Sequence, residues 1–247
     1  NDFKNLEKIV KNKNIGVIKM EVCRNTQPNI SFLKKVRRLA TQNNIVLIFD
    51  ECTTGFRESF GGLHKETGVK PDMVIFGKAL GNGYAITAIL GTDAVMDSVK
   101  KTFISSTFWT ERVGPTAALK TIEFMEKKKT WITVRKIGKK IQKRWDKLAK
   151  KHKLDINIKG IPSLTSFSFE SKKNQEYKTL ITQEMLKNNF LATNAINCSI
   201  SHDDKTINKY FENLENVFKI IRDCENGHSI SKFLNSKVSE KEFRRLN

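Results

Sequence analysis

The chain has 247 residues, 38% of them hydrophobic, which is enough for a buried core and for one large domain or two small ones. Its 45 Lys and Arg against 26 Asp and Glu leave a formal charge of +19; these are mostly lysines scattered among Asn and Ile, so a solvated basic surface is expected rather than a nucleic-acid partner. Neither a membrane-spanning run nor a secretory signal peptide is evident, and Cys23, Cys52, Cys198 and Cys224 show no close pair or metal-ligand spacing, so the expectation is a cytoplasmic protein with reduced thiols, no metal and no membrane.

In chain order, Phe3, Leu6, Ile9 and Val10 share one helical face, and Ile15-Gly-Val-Ile-Lys-Met-Glu-Val reads as a strand reaching Glu21. Pro28 and Asn29 introduce a helix over about 31–42, with Phe32, Leu33, Val36 and Leu39 inward. Ile45-Val-Leu-Ile-Phe-Asp-Glu follows as a buried parallel strand ending in charge at Asp50. The polar stretch 51–70 is a loop, and Gly61-Gly62 marks a tight turn within it. A second buried strand, 73–77, delivers Lys78 to its end in the same way, with Gly77 beside it where a side chain would crowd a bound ring. Gly81-Asn-Gly turns the chain back into an antiparallel strand expected at 86–91, followed by a helix over 92–100 and a loop at 104–112.

Helices are predicted from Val113 to about Met125 and from about Trp131 to His152. The second carries an apolar stripe of Ile137, Ile141, Trp145 and Leu148, and a basic face of Lys139, Lys140, Lys143, Arg144, Lys147, Lys150 and Lys151 read as solvated. Beyond Pro162, alternation in 164–169 predicts a strand, 175–188 a helix, 190–192 and 198–200 short strands, and Asp203 to about Arg222 a helix; 225–247 is polar. Three regions result: 1–130 as part of a large, mostly parallel α/β domain, 131–154 as a connecting helix, and 155–247 as a small α+β domain with its tail.

Ligands of open α/β sheets bind at the carboxyl ends of the strands, so Asp50 and Lys78 are expected to share one crevice. A charged pair there needs either itself or a ligand offering a partner to both. Pyridoxal phosphate meets both demands, since its aldehyde condenses with a lysine and its protonated ring nitrogen takes a carboxylate.

Asp-Glu-Cys-Thr-Thr-Gly-Phe-Arg at 50–57 and Pro-Asp-Met-Val-Ile-Phe-Gly-Lys-Ala-Leu-Gly-Asn-Gly-Tyr at 71–84 resemble the class III (fold type I) pyridoxal-phosphate aminotransferases, in particular the glutamate-1-semialdehyde aminomutase-like branch. Glu-Val-Cys-Arg-Asn at 21–25 is similar to the Glu-Pro-Val-x-x-Asn segment of that class, with Val22 in place of proline. The resemblance implies Lys78 as the Schiff-base and proton-transfer lysine and Asp50 as the partner of the ring nitrogen. It places Cys52 against the ring face and Glu21 and Asn25 near Asp50 or the ring hydroxyl. Thr107, with Phe108, falls where the family binds the cofactor phosphate from a neighbouring subunit, so a homodimer with shared sites is implied. The family's Thr-x-x-Gly-Asn-Pro pattern is Thr-Phe-Trp-Thr-Glu-Arg here, which leaves Thr110 as an alternative.

Arg57 fits either a substrate carboxylate or a loop ion pair, and His64 and His202 have no partners at ligand spacing. The family's other phosphate turn has no counterpart before Glu21, so the chain reads as the carboxyl-terminal part of a longer enzyme, inactive as an isolated piece. The activity implied is amino transfer between an amino donor and a carbonyl acceptor; its rivals are a 2,1-aminomutase using the same residues and a basic binding module without catalysis.

Overall fold

A computed structural model describes residues 2–23, 29–108 and 110–240, in two compact units, Asn1–Thr133 and Val134–Asn247. Among the described residues no helix is long and apolar enough to cross a membrane.

In the first unit, α1 (Phe3–Asn12) is capped by Asp2, whose carboxylate accepts the Asn5 N–H at 3.0 Å. It leads to β1 (Val17–Glu21), α2 (Ile30–Gln42), β2 (Val46–Asp50), a short α3 (His64–Thr67) and β3 (Met73–Phe76). One turn of 3-10 helix at Lys78–Leu80 precedes β4 (Ala88–Gly91), α4 (Asp93–Met96) and α5 (Val113–Lys128). The sheet order is β1-β2-β3-β4, with the first three strands parallel and β4 antiparallel on the edge.

Helix α2 starts where the Asn29 side chain takes the Phe32 N–H at 3.0 Å, and its buried Leu33, Val36, Leu39 and Ala40 recur at helical spacing. It packs on the sheet face that carries Leu47 and Phe49, both 0% exposed. Burying each such side chain stabilises by roughly 1.5–3 kcal/mol. Asp72 fixes where β3 begins: its Oδ2 accepts the Leu47 N–H and an Arg37 guanidinium N–H, each at 2.7 Å.

Period-two alternation puts Lys19, Glu21, Ile48, Asp50, Ile75 and Ile89 on the other face, as the pairs Lys19–Ile48, Glu21–Asp50, Asp50–Ile75 and Ile75–Ile89 require. That face is half-open, with Ile89 52% exposed. The expected helix at 92–100 resolves into α4 and a 3-10 turn over Asp97–Lys101.

Helix α6 (Thr130–Lys151) leads into the second unit, followed by β5 (Ile156–Ile161), β6 (Leu164–Phe169), α7 (Asn174–Lys187), β7 (Ala195–Asn197) and α8 (Asp204–Glu225). The three strands form an antiparallel sheet in the order β5-β6-β7. Trp145 from α6, Phe167 from β6, Tyr177 and Leu180 from α7, and Leu214 and Phe218 from α8 build its core. Trp145 Nε1 donates to Tyr210 Oη at 3.1 Å, so the indole is buried without an unpaired donor.

The basic face of α6 is not wholly solvated, because α8 lies along part of it. Lys140 pairs with Asp204 at 2.6 Å and Lys151 with Glu215 at 2.5 Å, while Arg144 donates to Asn208 at 2.6 Å and stacks 4.1 Å over the Phe211 ring. The strands expected at 190–192 and 198–200 are not formed. Pairing with β6 selects 195–197 between them, helped by the Asn194 side chain donating to Phe167 O at 2.7 Å. Leu191 stands 98% exposed outside the ladder, and Ser199–His202 makes a turn. Strand β5 was not anticipated.

Candidate active site

Three adjacent parallel strand ends build the site. Glu21 closes β1, Asp50 closes β2 directly opposite it, and Lys78 follows β3 by two residues. The two residues on which the sequence argument turns therefore sit at the carboxyl ends of neighbouring strands, where α/β folds bind ligands.

Lys78 has φ +44°, a left-handed conformation that a non-glycine residue holds only when its surroundings impose it, at a cost on the order of 1–3 kcal/mol. What imposes it is the turn of 3-10 helix that starts there, with Leu80 and Phe76 buried against Ala118 of α5. Its Nζ donates to Thr53 Oγ1 at 2.6 Å, which aims the amine back over the β2 end. Lys78 is exposed, so the described residues do not form the desolvating crevice expected for it, since its sheet face is the half-open one.

Asp50 is held from two sides. Its Oδ1 accepts the Cys52 N–H at 3.2 Å, and its Oδ2 lies 3.0 Å from the Lys19 ammonium. Burial pushes the Asp50 carboxyl up, but Lys19 and the amide and thiol of Cys52 together outweigh it, leaving the group below the usual carboxylate range. Asp50 is thus an anion facing a part-open crevice. Cys52 remains a thiol: burial and the neighbouring Asp50 raise it by more than Lys78 and Lys19 lower it. A Cβ on Gly77 would lie 3.4 Å from Cys52 Sγ and 3.3 Å from Thr87 Cγ2, so the strand end is shaped by a missing side chain.

Directly behind Asp50, Glu51 points the other way and is fully buried. Its Oε2 accepts the Leu63 N–H at 2.5 Å and the Thr54 hydroxyl at 3.0 Å; its Oε1 accepts the His64 N–H at 2.9 Å and meets His64 Nδ1 at 2.6 Å. Burial raises this carboxyl too, but the His64 ring and the two amides overcome it and set it below its ordinary value. A Cβ at Gly62 would strike His64 and Glu51 at 2.3–2.6 Å, so glycine is required for the clamp to close. The clamp ties both ends of the loop to β2 and holds Thr53 under Lys78.

Glu21 borders Cys23, whose thiol is pushed up to about 11 by burial and by the carboxylates of Glu58 and Glu21. Asn25 lies outside the described residues. Thr107 and Phe108 are both exposed, and among the described residues no hydrogen bond joins either to Asp50, Cys52 or Lys78. Their loop ends at Glu111, which caps α5 by accepting the Val113 N–H at 2.6 Å, and Thr110 is exposed within it. Arg57 donates to Thr53 O at 2.7 Å. Sequence reasoning missed Lys19, Thr53, Glu51 and His64. Only the Asp-Glu pair carried a signal, since alternation sends the second carboxylate to the opposite side.

The chain is similar to a 3-aminobutyryl-CoA aminotransferase from Cloacimonas acidaminovorans, 39% identical over 63% of this chain and 38% of that protein. It is similar to a glutamate-1-semialdehyde 2,1-aminomutase from Nitrosopumilus maritimus, 39% identical over 52% of this chain and 32% of that one. The chain thus spans well under half the length of either relative. The FumI protein of Sphingopyxis sp. MTA144, solved in its PLP internal aldimine form, has the same fold over 95% of this chain and 59% of its own, with a TM-score of 0.84 at 18% identity. The sequence model of the class-III aminotransferases matches residues 24–205, and the chain, with its strand-end aspartate and lysine, belongs to that family.

Proposed function

We propose that the protein containing this chain is a pyridoxal-phosphate-dependent aminotransferase that moves an amino group between an amino donor and a carbonyl acceptor. The observation that carries this reading is the delivery of an ionised Asp50 and of Lys78 to the carboxyl ends of adjacent parallel strands. The residues present fit the cofactor: an anion for its ring nitrogen, an amine for its aldehyde, and a glycine-lined strand end beside Cys52. Bound there, the cofactor would supply an electron sink for a substrate carbon that has lost its proton.

The ionised Asp50 carboxylate would hold the proton on the cofactor's ring nitrogen. The Lys78 amine would hold the cofactor's aldehyde and, as a free amine, would carry a proton between the substrate carbon and the cofactor carbon. Thr53 Oγ1 orients that amine, and the buried Glu51 clamp keeps Thr53 in place. Similarity to a glutamate-1-semialdehyde aminomutase supports a second reading, in which the same residues return the nitrogen to a neighbouring carbon of one substrate.

A homodimer with Thr107 and Phe108 serving the partner's cofactor is part of the proposal. Phe108 at 75% and Phe103 at 93% exposure support it, because a loop this apolar is better suited to a partner surface than to water. Borohydride reduction of the full-length, cofactor-loaded protein followed by peptide mapping should place the pyridoxyl group on Lys78. A label on any other lysine would overturn the assignment.

A further inference from the structure

Among the described residues, Lys19 is the cation that the strands themselves place on Asp50. It stands on β1 two residues before Glu21, opposite Ile48, and so projects from the same sheet face as Asp50. Its neighbours along the row, Val17 on β1 and Val46 and Ile48 on β2, are apolar. The backbone ladder fixes the lysine's root, so its ammonium stays within reach of Asp50 whatever else binds there. The contact is 3.0 Å to Oδ2, with the Lys19 side chain 54% exposed and that of Asp50 26%.

Resting on the functional reading above, we infer that Lys19 is a built-in competitor for Asp50, a positioning residue that neutralises the carboxylate in the free protein and must share it with the protonated ring nitrogen of the cofactor. An unpaired, half-buried carboxylate is unfavourable, and Lys19 removes that cost before cofactor arrives. Afterwards, with the Glu21 carboxylate opposite Asp50 on β1 a second anion at the strand end, two cations face Asp50. Their mutual repulsion, screened by the solvent around Lys19, weakens the hold on a protonated ring without disturbing Lys78. A carboxylate accepts several hydrogen bonds, so both cations fit on Asp50 at once, and the effect is a graded loss of affinity rather than exclusion.

The test measures equilibrium binding of pyridoxal phosphate to the full-length protein by fluorescence, with 1-deazapyridoxal phosphate, which has no ring nitrogen, as the second probe. Removing the cation in Lys19→Met, or in Lys19→Gln should the first variant fold poorly, is expected to tighten pyridoxal phosphate about five- to tenfold, from the screened repulsion of two neighbouring cations. Lys19→Arg should bind like the wild type, and none of the substitutions should alter affinity for the deaza probe. Unchanged or weaker binding by Lys19→Met, or tightening that persists with the deaza probe, would overturn the inference. If the wild type takes up no cofactor on Lys78, the functional reading falls and this inference with it. If it loads on Lys78 but Lys19→Met changes nothing, only the inference falls.

Discussion

Glu51→Gln gives the sharpest test of how the site is held. In the wild type the carboxylate receives two backbone amides, a hydroxyl and an imidazole nitrogen, all in a fully buried position. A glutamine amide keeps only one oxygen. If its nitrogen replaces Oε2 it faces the Leu63 N–H, and if it replaces Oε1 it faces the His64 N–H. The Thr54 hydroxyl and the imidazole can reverse their roles, but a backbone amide cannot, so one buried N–H is left unpaired in either orientation. That costs about 2 kcal/mol, and losing the charge on the remaining bonds adds about 1 more.

A local cost of about 3 kcal/mol should accelerate amide exchange at Leu63 and His64 roughly a hundredfold, read by hydrogen-exchange mass spectrometry on peptides from the 51–70 loop. The sign with pH follows from the depressed carboxyl. The stabilisation is fully present above the ordinary glutamate pKa and is lost as pH falls through the lower value of the folded state. The difference between wild type and Glu51→Gln should therefore shrink in acid. Acceleration below about fivefold near neutral pH would show that the four-donor clamp does not hold this loop.

Asp50→Asn should leave cofactor bound but lower kcat at least a hundredfold, because an amide does not keep the ring nitrogen protonated; near-normal turnover would contradict the role given to Asp50, and Asp50→Glu should be milder. Tyr210→Phe strands the buried Trp145 N–H and should destabilise the second unit by about 1–2 kcal/mol in urea unfolding, whereas an unchanged midpoint would show the bond contributes nothing. Mixing Lys78→Ala with Thr107→Val subunits of the full-length protein should restore activity towards half of wild type if sites are shared, since one composite site then carries neither lesion. An impaired Thr107→Val homodimer that no mixing rescues would place Thr107 in its own subunit's site.

The strands ending at Asp50 and before Lys78 could be read because each is a β-branched run cut off by charge, a pattern surviving without knowledge of neighbours. The long helices could be read from their stripes: Ile141, Trp145 and Leu148 are all buried as the spacing required. Side chains whose role depends on partners far along the chain left no such mark. Glu51 meets donors 12 and 13 residues away, and Lys19 looks like any other lysine of a basic protein until β1 and β2 are in register. Strand β5 was hidden because Gly160 stands where the alternation of Ile156 and Ile158 calls for a third apolar side chain, and Gly160, at φ +88°, is there for close approach to Leu164. Strand β7 was misplaced because hydrophobicity marks 190–192 and 198–200 as well as it marks 195–197, and backbone pairing with β6 made the choice.

The contacts between α6 and α8 join residues a constant 64 positions apart, at 140 and 204, 144 and 208, and 151 and 215, so the two helices ascend side by side in the same direction. Charge fixes their alignment only in part. Sliding α8 by one turn would bring Glu212 to Arg144 and Glu215 to Lys147, but would take Asp204 from Lys140 and set Lys151 against Lys219. A buried hydrogen bond also rejects this slip: the indole of Trp145 donates to the Tyr210 hydroxyl, where the slip would bring Leu214. Gly138 adds a notch, since a Cβ there would fall 1.9 Å from the carbonyl oxygen of Pro162 and jam the helix against the β5–β6 turn. The exposed lysines of α6 that pair with nothing on α8 are thus free to change, while the glycine, the indole and the stacked Arg144 are not.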